Sequence, residues 1–264
     1  MGVEQARGRA SAPKTLAVLA DPVFERSDDR LKARIGQTES RNAGQAASTD
    51  QARGLGLVMS TSAKQSGIAD AGLRIPRLPG TRREADAIIK LVPPARYKKA
   101  LDFDANRATA TSPELGQYRY VHFATHGLLN SHYPELSGIA LSMFDEQGTP
   151  QDGFWRAHEV FNLKLAADVV VLSACQTGLG KGVRGEGLIS LTRGFMYAGA
   201  PRVMVSLWNV NDVATAELMT RFYHGILVEK LRPAKALQSA QVSILNEKRY
   251  SAPFYWAAFT LQGE

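Results

Sequence analysis

The stretch Ala167–Gly178, ADVVVLSACQTG, decides how the rest of the chain is read. Val169, Val170, Val171 and Leu172 form an unbroken apolar, β-branched run. That pattern predicts a strand buried on both faces of a parallel sheet, since a strand with one wet face would alternate. Ser173, Ala174 and Cys175 follow at its carboxyl end, and then come Gly178, Gly180, Gly182, Gly185 and Gly187. Open α/β sheets place their sites just beyond the carboxyl ends of their strands. Cys175, the one cysteine of the chain, therefore falls where such a sheet presents chemistry. A lone cysteine is more often an inert buried hydrophobe, but a second stretch upstream argues otherwise.

That stretch is Tyr120–Gly127, YVHFATHG, a second core strand running into a polar His-Gly end. His126 precedes Cys175 by 49 residues, and caspase-type peptidases separate histidine from nucleophilic cysteine by about 50. Two neighbouring parallel strands, one ending in His-Gly and the other in Ala-Cys, bring an imidazole beside a thiol. The thiolate is the nucleophile, and the adjacent imidazole lowers the thiol pKa and later protonates the leaving group. His126 is the expected general acid/base and Cys175 the expected nucleophile.

Further motifs accompany this pair: LSGIALS (Leu136–Ser142), DGFWRAHEVFNLKL (Asp152–Leu165), GEGLISLTRGFMYAGAPRVMVSLWNV (Gly185–Val210) and the final PFYWAAFTLQG. Together they resemble the CHAT domain, a family within the caspase, separase and gingipain group of cysteine peptidases. RLPGTRREADAI (Arg77–Ile88) resembles its amino-terminal part, and the likeness runs from about Thr15 to Gly263 apart from residues 27–72. The resemblance implies an α/β fold, a caspase-like three-layer sandwich with a mostly parallel central sheet flanked by helices. It implies a cysteine endopeptidase acting on protein substrates, with no metal or organic cofactor. The backbone N–H groups of Gly127 and Cys175 become the expected oxyanion donors.

Likeness to separases, where Trp-x-Val-x-Asp follows the cysteine, makes Trp208, Asn209 and Asp212 candidates for the substrate pocket, with Glu217 a rival acid. An acid there favours a basic side chain before the scissile bond through a charge-assisted bond. The alternative is that Asp212 only caps the helix it begins. Ser173 stands where some relatives carry an acid, which removes that route to basic specificity. A catalytically silent interaction or scaffold module is the rival reading, because fold does not guarantee function. An acyltransferase or amidase using the same pair is a third. CHAT domains commonly adjoin helical TPR repeats, and this sequence shows no 34-residue repeat. A regulatory partner or a TPR region outside this chain is therefore expected, with the glycine stretch after Cys175 as the element it orders.

Composition narrows the remaining classes. Among 264 residues, 32 Lys and Arg face 25 Asp and Glu, a net charge of +7. The excess is dispersed over Arg7, Arg9, Lys14, Arg82, Arg83, Arg96, Lys98 and Lys99, with no dense basic run interleaved with aromatics. That reads as a solvated face and not as a nucleic-acid surface. A single cysteine leaves no intramolecular disulfide, and a free thiol suits a reducing, cytoplasmic setting. No apolar run approaches the roughly 20 residues of a membrane span. GLGKGVRGEG follows a strand, but Lys181 is followed by Gly182 where a phosphate loop needs Ser or Thr, so no nucleotide site is expected. His122 and His126 stand four apart without the HExxH glutamate and on a strand, which argues against zinc; His122 is read as packed.

Residues 1–14 are expected to form a disordered leader, with the peptidase domain over 15–264 and a flexible insertion over about 27–72. Thr15–Ala20 is read as the first strand. Thr81 and Glu84 suggest a capping box for a helix bearing Ala85, Ile88, Ile89 and Val92. Tyr97–Leu101 reads as an edge strand, Gly138–Phe144 as a hairpin-like segment and Trp155–Leu165 as a helix or helical turn. A helix over Leu188–Ala198 capped by Gly199, a strand over Arg202–Leu207, helices over Asp212–Val228 and Pro233–Leu245, and a closing strand over Tyr255–Leu261 complete the pattern.

Overall fold

The computed structural model describes residues 11–34, 75–130, 137–173, 175–179, 186–208 and 211–263. In chain order the strands are β1 (Lys14–Pro22), β2 (Tyr97–Asp102), β3 (Tyr118–Ala124), β4 (His126–Asn130), β5 (Gly138–Ala140), β6 (Phe154–Arg156), β7 (Val169–Leu172), β8 (Cys175–Leu179), β9 (Arg202–Ser206) and β10 (Phe259–Gly263). The longer helices are α1 (Pro79–Ile89), α2 (Glu186–Tyr197), α3 (Asp212–Leu227) and α4 (Pro233–Leu245).

Six strands form one sheet in the order β10-β9-β7-β3-β1-β2. All its pairings are parallel except β10 on β9. The valine run behaves as its composition demands: Val169, Val170 and Val171 are fully buried, because helices cover both faces. On one face Leu16, Val18, Tyr120, Val171 and Met204 pack with α1, α3 and α4. On the other, Leu19, Phe123, Val170 and Val205 pack with Trp155 and with Leu191 and Phe195 of α2. There the Phe123, Trp155 and Phe195 rings meet with centroids 5.5–5.8 Å apart, within the range where aromatic pairs add to area burial. The fold is thus mixed α/β, a mostly parallel sheet between helical layers.

A second, four-stranded sheet runs β6-β5-β4-β8. The link between the two sheets positions everything that follows. In the large sheet β3 and β7 are parallel neighbours, with Phe123 opposite Leu172. Each of these two runs then leaves the large sheet, after Ala124 in one case and after Leu172 in the other, and continues in the small sheet as β4 and β8. These pair in parallel with His126 opposite Cys175. The offset is the same in both sheets (172 − 123 and 175 − 126), so one register runs through both. The Thr125 hydroxyl, fully buried, donates to the Ala140 carbonyl at 2.6 Å and ties the break to β5.

Several expectations are corrected. The strand ending at His126 stops at Ala124, and His126 opens a new strand, because Thr125 turns the chain onto β5. Cys175–Leu179 is a strand as well, not the start of a loop; residues 180–185 and the gating expected of them lie outside the described residues. Thr81 and Glu84 form no capping box. α1 starts at Pro79 with Leu78 as its N-cap and no side-chain cap bond. The Thr81 hydroxyl instead donates to the Leu78 carbonyl and accepts the Asp21 N–H, while Glu84 faces His122. The cap of α3 is Asn211, whose side chain accepts from the Val213 and Ala214 amides, so Asp212 is the first helical residue. Of the two readings of Trp155–Leu165 the helical turn holds, at Ala157–Val160, but Trp155 and Arg156 belong to the end of strand β6. Tyr255 and Trp256 belong to a short helical turn, Pro253–Trp256, because Pro253 starts it, and the last strand begins at Phe259.

Residues 29–34, inside the expected insertion, are helical, and residues 35–74 lie outside the described residues, as do 1–10 of the expected leader. Arg82 is not a solvated charge. It joins Arg30 and Arg77 around Asp21 and Asp102, and Lys14 and Lys98 both bond Glu114. Among the described residues no helix is long and apolar enough to cross a membrane.

Candidate active site

Register brings the two predicted residues together. Adjacent strands lie about 4.8 Å apart, and His126 and Cys175 are directly opposed on β4 and β8. A 49-residue sequence gap is thereby reduced to one strand spacing. Gly127 follows, placed between Ile139 of β5 and Gln176 of β8.

His126 is buried, at 2% exposure. Its Nε2 lies 2.7 Å from the Pro76 carbonyl oxygen. A carbonyl only accepts, so Nε2 carries the hydrogen and donates it. In the neutral ring the lone pair then belongs to Nδ1. Nδ1 is buried and has no hydrogen-bond partner among the described residues. The Phe24 ring meets the imidazole edge-on at 5.3 Å, and Ile75, Leu128 and Ala140 complete an apolar pocket with it. Burial in that pocket lowers the His126 pKa below the ordinary imidazole value, partly opposed by the Pro76 carbonyl and the Asp212 carboxylate. The ring is therefore held neutral, in one tautomer, with its basic nitrogen unspent: the state a general base requires.

The pocket candidates separate. Asp212 is near enough for its charge to favour the protonated His126 ring, against the larger effect of burial. It also packs against Gly80 at the start of α1, where an added Cβ would fall 2.3 Å from the Asp212 Cβ. Glycine there lets α1 and α3 approach. Among the described residues the Asp212 carboxylate makes no hydrogen bond or ion pair. It lines a cleft of about 310 Å³ with Gly80, Arg83, Val213, Ala216 and Glu217. Glu217 is already engaged, with Arg249 at 2.7 and 2.8 Å and Arg221 at 3.4 Å. Trp208 is half-buried and its indole N–H donates to the Phe254 carbonyl at 3.2 Å. Asn209 lies outside the described residues.

His122 is a core residue, as expected. It is fully buried on the opposite side of the break from His126, with Nε2 2.9 Å from Glu84 and Nδ1 3.1 Å from the Tyr223 hydroxyl. Among the described residues no group of three or more His, Cys, Asp or Glu side chains is arranged to hold a metal. Sequence reasoning missed the Pro76 carbonyl, because a backbone oxygen has no signature beyond its residue. The only available signal was that Pro76 borders the RLPGT motif.

Comparison with known proteins agrees with this architecture. The family model described as the CHAT domain matches residues 5–264. Tetratricopeptide repeat protein 28 of Mus musculus is 36% identical over 107 residues, and its Homo sapiens counterpart is 37% identical over 107 residues. Each match covers 40% of this chain but only 4% of the relative.

Proposed function

The chain belongs to the CHAT domain family, and on that premise we propose that it is a cysteine endopeptidase using a Cys175–His126 dyad. The observation that carries this reading is the in-register pairing of His126 with Cys175. The His126 Nδ1 takes the thiol proton, and the thiolate attacks the scissile carbonyl to form a C–S bond. The tetrahedral oxyanion is held by backbone N–H groups of Gly127 and Cys175. Collapse breaks the C–N bond, with the His126 proton passing to the leaving amine. Water, deprotonated by His126, then hydrolyses the thioester and returns the thiol. Each step needs a ring that exchanges one proton at one nitrogen, which the Nε2–H bond to Pro76 supports.

For the substrate, the Asp212 carboxylate in the α1–α3 cleft supports a basic side chain next to the scissile bond. Glu217 serves that role less well, because two arginines of the chain already occupy it. Regulation by a partner or by a helical repeat region is part of the proposal, prompted by relatives whose name carries such repeats. A reducing, cytoplasmic setting follows from the free thiol the chemistry needs.

The test is product analysis by mass spectrometry after incubation with a peptide library. New amino and carboxyl termini at consistent positions, enriched in Arg or Lys before the cut and lost in Cys175→Ala, are the expected result. A well-folded wild-type chain that cleaves no library peptide, with a Cys175 that no electrophilic peptide probe labels, supports a scaffold module instead.

A further inference from the structure

Pro76 orients His126, yet a backbone carbonyl can do so only if its segment is itself held. Residues 75–78 have no regular secondary structure, so the usual ladder of backbone hydrogen bonds does not fix them. What fixes them is charge. Arg77, next in the chain to Pro76, makes a two-point bond to the Asp21 carboxylate, Nε to Oδ1 at 2.9 Å and Nη2 to Oδ2 at 2.7 Å. Paired planar bonds of this kind fix geometry as well as charge.

Asp21 is built for the task. It sits near the end of β1, fully buried, in the left-handed conformation at φ 50° that few residues other than glycine, asparagine and aspartate adopt. Its N–H donates to the Thr81 hydroxyl, and that hydroxyl donates to the Leu78 carbonyl on the far side of the same segment. Arg82 and Arg30 also reach the Asp21 carboxylate, at 2.8 and 3.2 Å. Both carry on to Asp102, at the end of β2 and likewise left-handed, at φ 52°. Ile75 packs with Phe24, the residue whose ring meets His126. The segment is thus gripped at Ile75 by apolar contact, at Arg77 by the carboxylate and at Leu78 by the hydroxyl, with Pro76 in the middle.

From this arrangement we infer that Asp21 and Arg77 are positioning residues for His126: their two-point bond holds the Pro76 carbonyl where it accepts the Nε2 hydrogen. The inference rests on His126 being the catalytic base proposed above. It adds a functional demand to a buried charge cluster that stability alone does not require, since a buried ion pair is weak evidence for stability. Asp21 never touches substrate. It acts through Arg77, Pro76 and the imidazole.

The experiment compares Arg77→Gln with Arg82→Gln by NMR of the histidine side chains and by peptide turnover. In the wild-type chain a His126 Nε2 proton bonded to a buried carbonyl gives a resolved, slowly exchanging resonance. Arg77→Gln is expected to lose that resonance and to lower kcat about a hundredfold with less change in KM, the size expected when a reacting group is misplaced by about 1 Å. Arg82→Gln disturbs the same carboxylate from α1 without adjoining Pro76, and is expected to lower the melting temperature while keeping the resonance. Arg77→Lys keeps the charge but not the two-point bond, folds more readily, and is expected to broaden the resonance. The inference is overturned if the resonance persists in Arg77→Gln, if it stays as sharp as wild type in Arg77→Lys, or if Arg82→Gln removes it equally. The NMR readout does not involve Cys175. Failure of the peptidase reading therefore shows separately, as a wild-type chain with the resonance intact and no turnover.

Discussion

In β3 and β7 of the large sheet, Val121–Ala124 and Val169–Leu172 are buried to within 3%, and the side chains are aliphatic or aromatic apart from His122. In β4 and β8 of the small sheet, the next residues along the same two runs are His-Gly-Leu-Leu-Asn and Cys-Gln-Thr-Gly-Leu. The register is common to both, but the composition changes at the break. The large sheet is covered by helices on both faces and carries the apolar burial. The small sheet has strands of only three to five residues and inherits its alignment from its neighbour. The two sheets divide the labour. A strand pair buried between two different helical layers sets an offset with high fidelity, since a one-residue slip would turn every side chain toward the other layer. His126 and Cys175 then need only sit beyond the break to be delivered opposite each other. Their alignment is stored in the buried residues of the large sheet.

This comparison can be broken most severely at the pair itself. Cys175→Ala should abolish peptide turnover, and His126→Ala should reduce it by about 10²–10⁴-fold. Cys175→Ala should leave the urea midpoint nearly unchanged, whereas His126→Ala, which empties a buried site and unpairs the Pro76 carbonyl, should cost about 1–3 kcal/mol. A loss of stability comparable to a core deletion in either variant would place the dyad in the wrong region. The converse change is Phe123→Ala, three residues before His126 but on the large sheet. Removing a ring packed between Trp155 and Phe195 should cost about 3–5 kcal/mol in denaturant unfolding, and any remaining folded fraction should still react at Cys175.

Asp212→Asn gives a smaller, sharper contrast. Asn211 is the cap of α3, so the substitution should change stability by no more than about 0.3–1 kcal/mol, the contribution of an acid at a helix start. The rate ratio for Arg against Leu substrates should fall by an amount equivalent to about 1.5–3 kcal/mol, the size of a hydrogen bond to a charged group. An unchanged ratio removes Asp212 from the pocket and leaves it a helix-terminal acid. The smallest effect lies at the far edge of the large sheet. Bonds from Lys98 and Lys14 hold the Glu114 carboxylate down to about 2. A lowered carboxylate contributes stability above its ordinary pKa and loses it as pH falls from about 4.5 toward 2. The site is half-buried and open to solvent screening, so Glu114→Gln should cost less than about 1 kcal/mol at neutral pH, and the difference from wild type should shrink as pH falls from about 4.5 toward 2 and vanish only below that.

Sequence pattern was most informative where one physical signal dominated. The valine run, the edge strand at Tyr97, and α4, whose bounds Pro233–Leu245 were read directly from its proline start and apolar spacing, are all present as expected. Gly199 adopts φ 114° after α2, as a helix-ending glycine should. Signals failed where a residue had a more distant use for its side chain. Thr81 and Glu84 fit a local capping box by spacing, yet Thr81 bonds Asp21, 60 residues earlier, and Glu84 faces His122. Arg82 reads as a surface charge because its partners Asp21 and Asp102 lie 61 and 20 positions away. The opposed placement of His126 and Cys175 was legible because both follow buried strand runs 49 positions apart. Pro76 was not, because any residue can supply a carbonyl.

On the proposed reading, the register that opposes His126 and Cys175 lets the imidazole activate the thiol. The most direct measurement is the rate of iodoacetamide alkylation of Cys175, the chain's one cysteine, as a function of pH in wild type and in His126→Ala. The account predicts a wild-type profile whose inflection lies well below the ordinary thiol pKa of about 8.5, and a His126→Ala profile that returns to about 8.5. Two superimposable profiles, both inflecting near 8.5, would contradict it.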